Sequence, residues 1–180
     1  MKFKTLMTTF CLASAFFIGV SEAKQPPEYY QFEIMEAEKQ GNFQRVIELL
    51  NKMIKEYKGD FLGIQGKVHL FDIYQGKCKR GFSGHLYDHP REMCQLLVNL
   101  SKGERLLEDI VAETEALLNS SEGAHHLRKK ELRSLLIYAA RTLESVYRNG
   151  FEEANIEVNP RKAEKYLKIK EKYEKLEYGQ

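Results

Sequence analysis

The sequence lacks the charge imbalance that marks several functional classes. Its 28 basic and 26 acidic residues leave a formal charge of only +2. Binding to a phosphate backbone needs a basic stripe, and none is present, so nucleic acid is not an expected partner. Charges of both signs are interspersed along the chain, which instead indicates solvated helix faces.

Long apolar runs are confined to the N-terminus. Residues 1–4 are basic, residues 7–20 are apolar or small, and Ser21 and Ala23 provide the small residues of a cleavage site. This is the plan of a secretory signal peptide, so we expect a signal over 1–23 and an exported chain, periplasmic or secreted. The alternative is an uncleaved N-terminal anchor. No second run is long enough for a membrane span, and none is expected after cleavage.

Helical periodicity dominates the remaining chain. Residues 24–27 contain two prolines and are expected to form an extended tail, followed by a single domain over 28–178. Apolar residues then recur three to four positions apart, as on the buried face of a helix. The predicted inward faces are Tyr30, Ile34 and Ala37; Val46, Leu49, Leu50, Met53 and Tyr57; Ile64, Val68, Phe71 and Tyr74; Met93, Leu96, Leu97 and Leu100; Leu107, Ile110, Val111, Thr114, Leu117 and Leu118; and Leu132, Leu135, Leu136, Ala139, Leu143 and Val146.

Capping residues mark the ends of these helices. Gly41 suits a left-handed C-terminal position, and Asn42 suits the cap of the next helix. A long helix is expected from about residue 124 to residue 149, before Gly150. Three further helix starts are predicted, with Asp88, Ser101 and Asn159 as caps.

The clearest pair of facing helices lies at 139–176. Its first helix carries Leu143, Val146 and Tyr147 on one side, and its second carries Ala163, Tyr166, Ile169, Tyr173 and Leu176. Neither face can stay buried alone, so the two helices are expected to pack as an antiparallel hairpin. Weaker copies occur upstream. The predicted fold class is therefore all-α, with antiparallel helical hairpins stacked as a short α-solenoid.

Three segments resemble known helical repeats. Residues 28–60, with the turn at 41–43, resemble a tetratricopeptide repeat, although no proline ends the segment. Residues 67–103 and 139–176 resemble Sel1-like repeats, the second through Leu143, Tyr147, Gly150, Asn159, Ala163 and Tyr166. The resemblance implies a concave surface that binds another protein. Small exported Sel1-like proteins include adaptors, host-interaction factors and immunity proteins that neutralise a toxic enzyme, so a non-enzymatic binding protein of this kind is expected.

Two cysteines remain once Cys11 is removed with the signal, namely Cys78 and Cys94. An exported chain with two cysteines most often pairs them, and exported cysteine-rich Sel1-like proteins resemble this arrangement. Closing a loop of about 15 residues is worth about 3 kcal/mol in the chain-entropy model. The competing interpretation takes Cys78, His85, His89 and Cys94 as zinc ligands, although their spacing is not that of a common zinc site.

Motifs for catalysis are absent, since the chain has no HExxH, no GxSxG and no phosphate-binding loop. His85, Asp88 and His89 could supply a base and its orienting carboxylate, so the alternative function is a metal-dependent or Cys/His hydrolase using the 78–94 cluster. We expect instead loop histidines exposed to solvent, no catalytic residue and no cofactor. A further pair, His125 and His126, would point about 100° apart on a helix and cannot share a face.

Overall fold

The structure, a computed structural model, describes residues 23–120 and 128–179. Within these ranges the chain forms seven α-helices and one 3-10 turn, at Glu152–Ala154, and no β-strand. The all-α fold class is therefore confirmed. The helices are α1 (Pro27–Lys39), α2 (Phe43–Glu56), α3 (Phe61–Tyr74), α4 (Arg91–Gln95), α5 (Leu100–Asn119), α6 (Lys129–Asn149) and α7 (Pro160–Tyr178).

Each long helix packs against the next one along the chain. The contacts run from α1 to α2, α2 to α3, α3 to α5, α5 to α6, and α6 to α7. The α6–α7 contact, which the pattern at 139–176 predicts, is the most extensive of these. Only the five-residue α4 stands outside this series of helix pairs.

Most of the predicted inward faces are buried. Tyr30, Ile34, Leu143, Tyr147 and Tyr166 are all less than 3% exposed. Leu176 is an exception, because at 55% exposure it lies on the open side of α7. The buried apolar residues that the periodicity predicts also include Ala37, Val46, Leu49, Leu50, Met53, Tyr57, Ile64, Phe71, Tyr74, Leu107, Ile110, Val111, Leu117, Leu132, Leu136, Ala139, Ala163 and Tyr173.

The region before α5 departs from the prediction. Pro90, not Asp88, precedes α4, and Leu96 is 88% exposed rather than buried. Asn99, not Ser101, caps α5, because its side chain accepts a hydrogen bond from the Lys102 backbone N–H. The Asn99 N–H in turn donates to the Tyr74 carbonyl, with N and O 2.9 Å apart, and this bond ties the start of α5 to the end of α3. The repeat-like segment 67–103 therefore has no long second helix.

The other predicted caps are in place. Gly41 has φ +68°, and the Asn42 side chain accepts from the Arg45 N–H. Gly150 ends α6, and the Asn159 side chain accepts from the Lys162 N–H at the start of α7. The expected start of α6 near residue 124 lies outside the described residues. At the other end of the chain, α1 begins at Pro27, inside the segment expected to be extended.

Long polar side chains connect α7 to α5. Glu108 accepts hydrogen bonds from Lys162 Nζ at 3.0 Å and from the Tyr166 hydroxyl at 3.1 Å. Seven residues further along α5, Glu115 accepts from the Tyr173 hydroxyl at 3.3 Å. Tyr166 and Tyr173 are also seven residues apart, so the same arrangement occurs twice along the two helices.

Tyr147 of α6 joins the first of these arrangements. Its ring stacks on that of Tyr166, with centroids 5.8 Å apart, and its hydroxyl donates to Glu104 and Glu108. Burial and these two carboxylates raise the pKa of Tyr147 well above its usual range. The tyrosines that the periodicity places in the core therefore also form partly buried hydrogen bonds between three helices.

Candidate functional site

Cys78 and Cys94 lie at disulfide-bonding distance, with their Cα atoms 5.5 Å apart. Both side chains are 2% exposed and pack in the core cluster shared with α1, α2 and α3. The structure thus brings together the pair that the sequence predicts. A disulfide here is compatible with an oxidising, exported environment.

The chain around the disulfide, residues 76–98, is referred to below as the disulfide segment. Apart from α4 it is irregular, but its backbone is hydrogen-bonded. The Gly81 N–H donates to the His85 carbonyl and the Tyr87 N–H to the Lys79 carbonyl, each with N and O 2.8 Å apart. Arg80 and Leu86 form an isolated antiparallel bridge between these bonds. The disulfide segment therefore has a tight turn at its centre and a covalent link across it.

The structure separates the residues of the predicted zinc or catalytic cluster. His85 and Asp88 are exposed, whereas His89 is only 9% exposed, stacked on Tyr87 and edge-on to Phe43. The expectation of an exposed loop histidine is wrong for His89, because its ring packs against those of Tyr87 and Phe43. No group of three or more potential metal ligands occurs within 23–120 and 128–179. His125 and His126 lie outside these ranges.

The disulfide segment exposes large apolar side chains. Leu86 is 82% exposed, Leu96 88% and Val98 43%. These are three of the eight large apolar residues that are exposed in the described part of the chain, although the segment is short. Leucines so exposed contribute little to folding.

The disulfide segment also forms most of the wall of a basic cleft. Its volume is about 550 Å³, and it is lined by Asp72, Gly76, Lys77, Lys79, Arg80, Arg91 and Cys94. Asp72 is paired with Lys77, with Oδ1 and Nζ 3.8 Å apart. In the described part of the chain, no carboxylate lies within ion-pair distance of the other three cations. The cleft is therefore positively charged.

A buried carboxylate–histidine pair lies on the other side of the disulfide segment. Glu38 of α1 is 1% exposed, and its Oε1 lies 2.6 Å from Nε2 of His69 on α3. The same oxygen accepts a hydrogen bond from the Phe82 N–H of the disulfide segment at 2.9 Å. Glu38 therefore joins three parts of the chain that are far apart in sequence.

Gly81 allows this approach of the disulfide segment to Glu38. A Cβ at position 81 would collide with Oε2 of Glu38 and with the ring of Tyr87. Glu38 Oε2 is itself buried and has no hydrogen-bond partner among the described residues.

His69 forms part of the wall of a larger cavity between α3, α6 and the disulfide segment. The volume of this cavity is about 730 Å³, within the range of small-molecule sites. Its lining combines apolar rings with polar and charged groups, namely Phe61, Gln65, Val68, His69, Asp72, Arg80, Gly81, Phe82, Gly84, Lys130, Glu131, Ser134 and Leu135. We call it the His69 cavity.

Some of the charged residues that line the His69 cavity form ion pairs and others do not. Both acidic residues are paired, Asp72 with Lys77 and Glu131 with Arg128, whose Nη1 lies 3.9 Å from Glu131 Oε2. Burial also raises the pKa of Asp72, although Lys77, His69 and Arg80 act in the opposite direction. Arg80 and Lys130 have no carboxylate within ion-pair distance in the described part of the chain. The charged side chains of the cavity that form no ion pair in the described part of the chain are therefore both cations.

The sequence carried a signal for this site that the periodicity argument did not use. Glu38 follows Tyr30 and Ile34 at positions i+8 and i+4, so it falls on the apolar face of α1. His69 lies between Val68 and Leu70 in a helix with few polar residues. A charged residue on an apolar stripe indicates a buried polar contact, but its partner, 31 residues away, cannot be identified from spacing.

Comparisons with known proteins do not assign this chain to a family. No described helix combines the length and apolar character needed to cross a membrane. No protein-family model, no curated protein and no solved structure matches the chain. The resemblance to Sel1-like and tetratricopeptide repeats therefore stays a prediction.

Proposed function

We propose that this chain is an exported, non-enzymatic helical-repeat protein that binds another protein through its disulfide segment. The observation that carries the proposal is the exposure of Leu86 and Leu96 on a segment that a disulfide closes beside a basic cleft. A covalent link limits the conformational entropy that the segment loses on binding. The partner that fits is a protein surface with an apolar pocket bordered by carboxylates.

The order of helix packing supports the repeat part of the proposal. In a solenoid each helical hairpin contacts its neighbours along the chain, and the long helices here pack in chain order. The antiparallel pair α6 and α7 follows the Sel1-like pattern of Leu143, Tyr147, Ala163 and Tyr166, and all four side chains are buried. In this arrangement the disulfide segment replaces the second helix of the middle repeat.

Two biological roles fit a binding protein of this kind. An adaptor would hold its partner without changing the partner's activity. An immunity protein would cover the active site of a toxic exported enzyme, and a basic cleft on a segment with exposed leucines suits an enzyme with an acidic surface. For the immunity role, loss of the gene should be harmful only when the copurifying enzyme is present.

The hydrolase alternative receives no support from the 78–94 cluster. Its two sulfur atoms lie at disulfide-bonding distance from each other, and His89 is enclosed by aromatic rings. His85 remains exposed on the turn, without a hydrogen-bonded carboxylate to orient it in the described part of the chain. No nucleophile and base are therefore brought together there.

The test is affinity capture from the envelope and secreted fractions of the source organism. The Leu86→Ser/Leu96→Ser variant removes two exposed apolar contacts, and Lys79→Glu/Arg91→Glu reverses the charge of the cleft. Leu176→Ser is the matched control, because Leu176 is also exposed but lies on α7. We expect one protein to be retained by the unchanged chain and by Leu176→Ser, and to be lost from both double variants. Equal recovery with all four baits would contradict binding through the disulfide segment.

A further inference from the structure

The His69 cavity contains a histidine whose orientation is set by a buried carboxylate. Nε2 of His69 is engaged by Glu38, and Glu38 is held in turn by the Phe82 N–H. A carboxylate bonded to one nitrogen of a histidine ring fixes the orientation of the other ring nitrogen, as in many binding and catalytic histidines. His69 is 8% exposed and lines the cavity, so a molecule that enters there can contact its ring.

The paired and unpaired charges indicate which molecule fits. Lys77 and Arg128 form ion pairs with the two acidic residues of the cavity, while Arg80 and Lys130 form no ion pair among the described residues. Two unpaired cations in one concave site attract an anion. The rings of Phe61 and Phe82, with Val68 and Leu135, form an apolar wall, which favours a ligand with an aromatic or bulky apolar body.

We propose that the His69 cavity binds a small organic anion with an aromatic or bulky apolar body, whose acidic group lies between Arg80 and Lys130. This site does not depend on the protein partner proposed above. Arg80 belongs to the disulfide segment and also lines the basic cleft, but Lys130 is on α6 and the exposed leucines do not line the cavity.

Two fluorescent probes test the proposal on the intact exported chain. The dye 1-anilinonaphthalene-8-sulfonate carries an aromatic body and one negative charge, and N-phenyl-1-naphthylamine is the same body without the sulfonate. We expect the anionic probe to bind with one-to-one stoichiometry and about tenfold more tightly than the neutral one, the size of one charge-assisted hydrogen bond. Similar affinity for the two probes would overturn the proposal.

Matched variants locate the bound probe. Lys130→Gln and Arg80→Gln should each weaken the anionic probe about tenfold and leave the neutral probe unchanged. Lys129→Gln removes a neighbouring charge that does not line the cavity, so it should leave the affinity for both probes unchanged. Loss of affinity in Lys129→Gln equal to that in Lys130→Gln would show nonspecific attraction and would overturn the proposal.

A spectroscopic readout separates this cavity from the exposed apolar patches. The imidazole resonances of His69 should shift on addition of the anionic probe, whereas those of the exposed His85 should not. Binding should also survive in the Leu86→Ser/Leu96→Ser variant. A probe that binds without moving the His69 resonances, or that is lost with the leucines, lies outside the His69 cavity and contradicts the proposal.

Discussion

Glu38 Oε1 and His69 Nε2 lie 2.6 Å apart, in a contact that removes both side chains almost completely from solvent. The two residues come from different helices and are 31 positions apart in the chain. No lysine or arginine is within ion-pair distance of Glu38 among the described residues. The carboxylate therefore depends on His69 and the Phe82 N–H for its stabilisation.

Removing one member of this pair should be strongly destabilising. Glu38→Leu or His69→Leu leaves the other polar group buried without its partner, at a cost of about 3–5 kcal/mol. The double leucine variant should lose clearly less than the sum of the two, because it leaves neither group unpaired. Urea unfolding measures these differences. Glu48→Leu, at an exposed ion pair on α2, should change stability by less than about 1 kcal/mol. Strict additivity of the two single changes would show that they do not act as a pair.

The two histidines of the disulfide segment should respond differently to truncation. His89→Ala removes a ring packed between Phe43 and Tyr87, and we expect a loss of about 1–3 kcal/mol in the free energy of unfolding. His85→Ala removes an exposed side chain and should change the free energy of unfolding by less than about 0.5 kcal/mol. Each of the three proteins should melt at the same temperature with zinc as with a chelator. Stabilisation by zinc that disappears in both variants would restore the metal interpretation.

The disulfide should account for a measurable part of the stability. Thiol titration of the chain from Lys24 onward, denatured without reductant, should find no free thiol. Replacing Cys78 and Cys94 together by serine should lower the free energy of unfolding by about 3 kcal/mol, since the unfolded chain is no longer closed into a loop. Reductant should destabilise the unchanged chain by a similar amount and leave the double serine variant unaffected. Two titratable thiols in the unreduced chain would refute the pairing.

Glu108 should make stability depend on pH in the acid range. Burial opposes its charge, but hydrogen bonds from Tyr147, Lys162 and Tyr166 outweigh burial and hold the pKa of its carboxyl below the usual 4.5. The unfolded chain therefore takes up this proton at higher pH than the folded chain. The contribution of Glu108 is complete above pH 4.5 and is lost as the pH falls through the lowered pKa.

Urea unfolding across this range tests the sign of the effect. Glu108→Gln should be less stable than the unchanged chain at neutral pH, and the difference should shrink on acidification. Glu164→Gln is the control, because Glu164 is exposed and pairs only with Lys168 on the same helix. Its stability curve should run parallel to that of the unchanged chain. A difference for Glu108→Gln that stays constant down to low pH would contradict the lowered pKa.

Periodicity predicted the helices because their stability comes from one continuous apolar face. Tyr147 and Tyr166 were predicted to be buried from spacing alone, and both are. The same argument failed at Leu96, because the Asn99–Tyr74 hydrogen bond and the Cys78–Cys94 link, rather than an apolar stripe, determine the path of the chain there. Contacts that close a loop over long sequence distances are not visible as a local period.

The candidate sites likewise include one that the sequence predicted and others that depend on how the helices pack. Cys78 and Cys94 could be paired from residue counting and the expected compartment, without geometry. The His69 cavity could not be predicted, since Glu38, His69 and Lys130 come from three helices whose relative positions depend on packing. The spacing of His85 and His89 suggested a cluster, but the rings of Phe43 and Tyr87 enclose His89 and leave His85 outside.

The repeated tyrosine–glutamate hydrogen bonds between α5 and α7 restrict how α7 can be positioned along α5. Apolar faces tolerate a shift of one helix along another, because one leucine can replace the next. A shift of α7 by one turn, about 5.4 Å, would separate Tyr166 from Glu108 and Tyr173 from Glu115 at the same time. Two phenol oxygens would then lose their acceptors together. The tyrosine hydroxyl groups thus favour one register between the two helices. Contacts between their apolar surfaces alone would permit several registers.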